Sequence, residues 1–248
     1  MRIEANTIFI TGGTSGIGRG LAEAFHRIGN RVIISARREA LLENICAAHP
    51  GMSYFALDVT NPAAIRTVAG EVVARFPDLN CVVNAAGIQS EHDFSGDPSP
   101  DDGALAAEID TNLVGLIRLC AAFLPYLRTK EAATLINISS GLAFVPLARG
   151  PVYCATKAAV HSFCLSLRRQ LRDSAVKVIE LIPPYVDTEL DKGRRHEHGP
   201  MPMPLDQFIS ETMTALAGDD EEIAIGNAAF LRGGVSASFQ SAFSRMNP

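Results

Sequence analysis

Along the chain, apolar residues gather in short unbroken runs: TIFIT (7–11), RVIISA (31–36), SYFAL (53–57), NCVVN (80–84), TLINIS (134–139) and VKVIELI (176–182), with a weaker run at 222–225. Continuous runs, rather than strict alternation, describe strands covered on both faces, which is the habit of parallel sheets. Between them lie longer helical patterns near 16–28, 38–48, 62–76, 101–128 and 152–173. A strand–helix–strand rhythm requires right-handed crossovers, and so predicts a doubly wound α/β fold: a seven-stranded parallel sheet with helices on both faces. The sequence carries no internal repeat and no low-complexity linker, so a single domain over residues 1–248 is expected.

Two segments interrupt the rhythm. SEHDFSGDPSPDDG (90–103) is a polar loop before the long helical pattern, and DTELDKGRRHEHGPMPMP (187–204) is charged and punctuated by Pro and Gly. Loops of this length in a compact domain usually cover or line a site, so 187–204 is expected to be a mobile substrate loop. Its Arg194 and Arg195 suit an anion and its PMPMP an apolar group, which leaves the substrate open. His196-Glu197-His198 resembles a metal-binding cluster, but no further ligands follow at metal-site spacing, and no metal is expected.

Composition narrows the classes. Hydrophobic residues make up 47% and charged residues 20% of 248. A chain of this length can bury roughly 70–75% of its unfolded surface without disulfide or metal staples. The net charge of -5 excludes a polyanion-binding footprint, and nucleic acid with it. Five cysteines (Cys46, Cys81, Cys120, Cys154, Cys164), odd in number and without CxxC spacing, describe reduced thiols. Glu4 and Asn6 stand where an export signal needs an apolar run, and the apolar stretch Leu113 to Leu127 is interrupted by Arg118 and Pro125 and too short to span a bilayer. The expectation is a soluble cytoplasmic protein.

The first run leads directly into TGGTSGIG (11–18), which opens a helix. Gly12 permits a tight turn, Gly16 lets a pyrophosphate approach the backbone, and Gly18 allows close helix–strand packing. The helix start offers unpaired N–H groups to phosphate. A purely structural turn would also use glycines; the strand before and the helix after favour the phosphate cradle. At the end of the second run, Ala36 stands where NAD-binding sheets place an acidic residue, and Arg37 and Arg38 follow. An arginine there accommodates the 2′-phosphate of NADP, so NADP(H) is favoured over NAD(H), which stays the alternative; a strand-capping arginine pair is the plain reading.

YCATK (153–157) puts Tyr153 and Lys157 one helical turn apart. Alone, such a pair is an ordinary surface contact worth a few tenths of a kcal/mol, about 0.2–0.5. With TGGTSGIG, NAAG (84–87), EIDTN ending at Asn112 and NISS ending at Ser140, the chain resembles the short-chain dehydrogenase/reductase family, in its short single-domain branch with a Rossmann fold. The match runs to about residue 190. More narrowly, YCATKAAVHSFCLSLRRQLR and ELIPPYVDT resemble the subgroup encoded beside teichoic-acid D-alanylation genes.

That resemblance implies an alcohol–carbonyl oxidoreductase using NAD(P). Tyr153 would be the general acid/base and Lys157 would lower its pKa. Ser140, thirteen positions before the tyrosine, would orient the substrate oxygen, and Asn112 would hold a water linking Lys157 to solvent. Cofactor contacts would come from Gly12, Thr14, Ser15, Gly16, Ile17 and Gly18, from Arg37 and Arg38, and from Asp58 and Val59 after the third strand. Asn84, Ala85 and Gly87, the pair Tyr153 and Lys157, and Pro183, Val186 and Thr188 after the sixth strand would complete them. The family usually has Pro-Gly where this chain has Pro183-Pro184, so its nicotinamide contacts there are in question. The family also implies homodimers or homotetramers. A small-molecule carbonyl or alcohol is the expected partner.

Two other functions compete. A non-enzymatic NADP sensor on the same fold would not need the tyrosine–lysine pair. A longer-branch sugar-nucleotide epimerase suits neither the length nor the glycine spacing. Cys154 reads as packing, and His161 as packed or at an interface.

Overall fold

A computed structural model describes residues 1–96, 98–191 and 201–233. His196-Glu197-His198, Arg194 and Arg195 lie outside the described residues. The strands are β1 (Thr7–Thr11), β2 (Arg31–Ala36), β3 (Ser53–Ala56), β4 (Leu79–Asn84), β5 (Ala133–Ile138), β6 (Val176–Ile182) and β7 (Glu222–Ala224). All pair in parallel, in the order β3-β2-β1-β4-β5-β6-β7. The doubly wound sheet expected from the apolar runs is therefore present, the weak seventh run included.

The runs are unbroken because the sheet is covered twice. Phe9, Ile33, Val82 and Leu135 face α3 (Pro62–Arg75), α5 (Gly115–Leu127) and α6 (Pro151–Leu171). Their neighbours Ile8, Ile10, Ile34, Val83 and Ile136 face α1 (Gly16–Arg27), α2 (Glu39–Ala48) and α7 (Leu205–Leu216). Successive side chains on a strand point to opposite faces, so a strand with helices on both sides has no solvent-facing position.

The topology also positions the site. From β1 the chain builds outward to β2 and β3, then returns and builds the other way from β4. The strand order reverses between β1 and β4, and a crevice opens there at the carboxyl ends of the strands. Thr11 closes its floor: its Oγ1 accepts from the N–H groups of Ala85 (3.1 Å) and Ala86 (3.2 Å), tying the end of β1 to the segment after β4.

The long helical pattern at 101–128 is not one helix. It divides into α4 (Asp102–Ile109), a five-residue π turn (Asp110–Val114) and α5. At that seam Gly115 runs against the chain after β3; a Cβ on it would lie 2.6 Å from the Val59 carbonyl oxygen. Two helices, α7 and α8 (Asn227–Gly233), were not expected from the sequence. α7 follows Pro204 with no side-chain cap to announce it. The flanks of the 187–204 loop are ordered by pairing, for Val186 bridges Met203 and the Asp187 N–H donates to the Met203 carbonyl at 2.9 Å.

Candidate active site

A cleft of about 1680 Å³ occupies the crevice. Pockets for drug-sized ligands run to about 300–1000 Å³, so this one has room for a dinucleotide with a second small molecule beside it. Of the expected cofactor residues, Gly12, Thr14, Ser15, Gly16, Ile17 and Gly18 line it, as do Arg37, Arg38, Asp58, Val59, Ala85 and Gly87. Tyr153, Lys157, Pro183, Val186 and Thr188 line it as well.

The glycine loop is built for close approach. Gly12 (φ 69°) and Gly16 (φ 52°) occupy the left-handed region that side chains resist. A Cβ on Gly18 would lie 2.4 Å from the Gly12 carbonyl oxygen, so α1 can pack onto the loop only with a glycine there. Gly13, not singled out in the sequence, is equally constrained: its Cβ would lie 2.6 Å from that of Ile34. Ser15 caps α1 without a side-chain hydrogen bond, so the first N–H groups of the helix are left for a ligand.

Beyond the loop, Arg37 and Arg38 are exposed on the cleft wall, and no carboxylate accompanies them at Ala36. One oxygen of Asp58 is held by Thr60, through its N–H (2.9 Å) and hydroxyl (2.8 Å), which fixes the carboxylate. Thr188 closes over the loop, its side chain 3.4 Å from where a Gly16 Cβ would stand.

Asn84 sits elsewhere. Its side chain points into the core, donating to Asn137 Oδ1 (2.8 Å) and Cys120 Sγ (3.4 Å), and does not line the cleft. The NAAG spacing located the right turn. Its Ala85, Ala86 and Gly87 line the cavity, while Asn84, the last residue of β4, turns into the core.

Tyr153, Ser140 and Lys157 meet at one end of the cleft. The Ser140 hydroxyl hydrogen-bonds the Tyr153 phenol, and the Lys157 ammonium lies 5.5 Å from the centre of the phenol ring. Lys157 Nζ donates to the Ile138 carbonyl at 2.9 Å. Burial governs both protons, because a charge removed from water is costly. It pushes the Tyr153 phenol up from its ordinary value and brings Lys157 down to about 8. In the protein alone burial dominates Tyr153, and the Ser140 hydrogen bond, not Lys157, supplies the opposing pull. The phenol is therefore held protonated at neutral pH.

Ser139, one residue away, is not interchangeable with Ser140. Its buried Oγ has no hydrogen-bond partner among the described residues, while its N–H donates to the Leu181 carbonyl at 2.9 Å.

Asn112 lies in the π turn, behind the cleft wall rather than on it. Its Oδ1 accepts from the Ile88 N–H and its Nδ2 donates to the Ile88 carbonyl, both at 2.8 Å, with Thr156 Oγ1 a further acceptor at 3.3 Å. A Cβ on Gly87 would stand 3.4 Å from Asn112 Oδ1 and 3.8 Å from Lys157 Nζ, so Asn112 backs the lysine across one glycine.

The cleft wall adds residues with no sequence signal. Gln89, Leu142, Leu147, Arg149 and Tyr185 line it, as do Asn227, Phe230 and Leu231 of α8. They come from separate loops and one short helix, so no spacing in the chain connects them. Pro184 lines the cleft too; the neighbouring Pro183 carbonyl accepts from the Gly141 N–H at 2.9 Å. His161 is packed, as expected, edge-on to Phe144 and 2.8 Å from Glu180.

The residues fit a dinucleotide: a glycine cradle with free helix N–H groups, a basic wall and a proton-bearing phenol lie along one cleft. A family model described as short chain dehydrogenase matches residues 6–199. The oxidoreductase DltE of Bacillus subtilis is 38% identical over all of this chain and 98% of its own length. The NADP-dependent 3-hydroxy acid dehydrogenase YdfG of Salmonella typhi is 35% identical over 72% of each chain. Among solved structures, a short chain dehydrogenase from Burkholderia cenocepacia in complex with NADP superposes with a TM-score of 0.86 at 27% identity, covering both chains fully.

Proposed function

The chain belongs to the short-chain dehydrogenase family and is an oxidoreductase of that kind, and on that premise we propose that it reduces a small ketone or aldehyde with NADPH, Tyr153 delivering the proton. The observation that carries this is the buried phenol of Tyr153, hydrogen-bonded to Ser140 and backed by Lys157 at the end of a cleft with room for a dinucleotide. When bound, the nicotinamide supplies the hydride.

The remaining work falls to the chain. As hydride reaches carbon, negative charge develops on the carbonyl oxygen and must be met where it forms. Ser140 Oγ orients that oxygen and Tyr153 Oη gives it a proton. The Lys157 ammonium then stabilises the phenolate left behind, a form that burial alone makes costly. In the oxidative direction the same phenolate would take the alcohol proton.

NADPH is favoured over NADH because Arg37 and Arg38 face the cleft beside Ala36, where an acid would be needed to hold the ribose hydroxyls. NADP in the Burkholderia cenocepacia structure and in the name of the Salmonella enzyme supports the same choice. The phosphates would lie on Gly12 to Gly18 and the adenine near Asp58 and Val59, with Pro183, Val186 and Thr188 against the nicotinamide side. Asn112 acts from behind, by holding Ile88 and backing Lys157. The protein is proposed to work in the cytoplasm as a homodimer or homotetramer; residues 192–200 of the expected 187–204 substrate loop lie outside the described residues.

The test is to follow NADPH absorbance with the purified protein against a panel of ketones, aldehydes and 3-oxo acids. Turnover is expected for at least one compound. Tyr153→Phe should lose it by at least about 10²-fold, the contribution usual for a general acid, while NADPH binding persists. NADPH binding without turnover anywhere on the panel would point instead to the non-enzymatic sensor.

A further inference from the structure

Two buried titratable side chains near the cleft stand outside the reacting set, although the charge of one, Glu108, adds to the rise of the Tyr153 phenol. Glu108, in the last turn of α4, is wholly buried, and His92 is nearly so. A buried carboxylate is costly unless its oxygens are paired. Here both are used: Glu108 Oε1 accepts from the Ser90 N–H (2.9 Å) and Oε2 meets His92 Nε2 (2.9 Å). The His92 N–H in turn donates to the Arg149 carbonyl at 3.1 Å, two residues before α6 begins.

One turn further along the same rod, Asn112 holds both backbone groups of Ile88. Residues 88, 90 and 92 are thus each fastened, the first two to side chains four residues apart on one helical face. Gln89, between the fastened residues, lines the cleft, and its Nε2 lies 3.7 Å from where a Gly150 Cβ would stand, at the N-terminus of the helix that carries Tyr153. With the backbone held at residues 88 and 90, on either side of it, the direction in which the Gln89 side chain leaves the chain is fixed.

We propose that Glu108 and His92 are positioning residues for the substrate side of the cleft: with Asn112 they pin residues 88, 90 and 92 and thereby present the Gln89 amide to a polar group of the substrate next to its carbonyl. The proposal rests on the oxidoreductase reading for its consequence, although not for the clamp itself.

The experiment has one readout for the clamp and one for its effect. Amide hydrogen exchange on the full-length protein should show Ser90 and His92 exchanging at least tenfold faster in Glu108→Ala, with the 12–18 loop unchanged. With the best carbonyl compound of the panel, Glu108→Ala should raise KM at least tenfold, leaving kcat within threefold and NADPH affinity within twofold. Glu108→Gln should bring KM back to within threefold of wild type, since its amide can accept from Ser90 and donate to a neutral His92. Gln89→Ala, a cleft-lining change that leaves the clamp intact, should raise KM as Glu108→Ala does with normal exchange at 90 and 92, and the double variant should be no worse than either single. Unchanged exchange in Glu108→Ala, an unchanged KM in Gln89→Ala, or a parallel loss of kcat, KM and NADPH affinity in Glu108→Ala would each overturn the proposal. Were the wild-type protein inactive on the whole panel, the oxidoreductase reading would fall, and the exchange result would still decide the clamp.

Discussion

The side chain with most at stake in this cleft is Lys157. Removing its ammonium from water lowers its pKa from 10.5 to about 8, a difference worth about 3 kcal/mol against folding. The sign follows from proton counting. Below pH 8 both folded and unfolded chains hold the proton, and the full penalty is present. Between 8 and 10.5 the folded chain sheds a proton that the unfolded chain keeps, so the penalty fades as pH rises. Lys157→Met should therefore be more stable than wild type at pH 7, by about 2 kcal/mol once the lost bond to the Ile138 carbonyl is subtracted at about 1 kcal/mol. Thermal unfolding should show a gain of roughly 4–8 °C that narrows towards pH 10, together with loss of turnover. A destabilised or pH-independent variant would mean that the lysine is not held charged at a cost. Arg37 is the opposite case, an exposed cation free to meet a ligand. Arg37→Ala should weaken NADPH at least tenfold and leave NADH nearly unchanged, measured by titration of both; an unaltered preference would remove Arg37 from cofactor selection.

Among the elements, the join of β1 to α1 carries the tightest constraint. A methyl group on Gly18 would enter the Gly12 carbonyl, which no rotamer change can relieve because both partners are backbone. Gly18→Ala should cost about 3 kcal/mol, at the upper end for an overpacked contact. It should also weaken NADPH at least tenfold by displacing the loop, as urea unfolding and cofactor titration would show. The same join was the easiest to read in the sequence, because glycine spacing, strand and helix all follow from one backbone requirement. The π turn at Asp110–Val114 was not legible. Its apolar pattern continues through both flanking helices, and the extra residue is set by the tertiary approach of Gly115 to the Val59 carbonyl. α7 and α8 were missed for a different reason: an uncapped start after proline and a length of seven residues leave little local signal.

At the scale of the whole molecule, the sheet separates two polar systems. At the carboxyl ends of the strands lies the cleft. By the β6–β7 edge, Glu180 is fully buried and held by His161 (2.8 Å) and Arg168 (3.9 Å), while Arg168 and Arg232 share Glu222. Arg168→Met should cost about 3 kcal/mol by stranding a buried carboxylate, yet leave NADPH affinity within twofold, since none of these side chains lines the cleft. Equal loss of both would show that the two systems are coupled. The reacting set was legible in the sequence because Ser140, Tyr153 and Lys157 keep fixed distances along the chain, whereas Gln89, Arg149 and Phe230 meet only through the fold. The central claim, that this cleft moves hydride to carbon while Tyr153 moves the proton, is tested most directly with NADPH deuterated at nicotinamide C4. Wild-type protein and an active carbonyl compound should place the deuterium on the carbinol carbon of the product, and Tyr153→Phe should bind the same NADPH with transfer reduced at least about 10²-fold. Tightly bound NADPH with no deuterium transferred by wild type, or transfer undiminished in Tyr153→Phe, would contradict it.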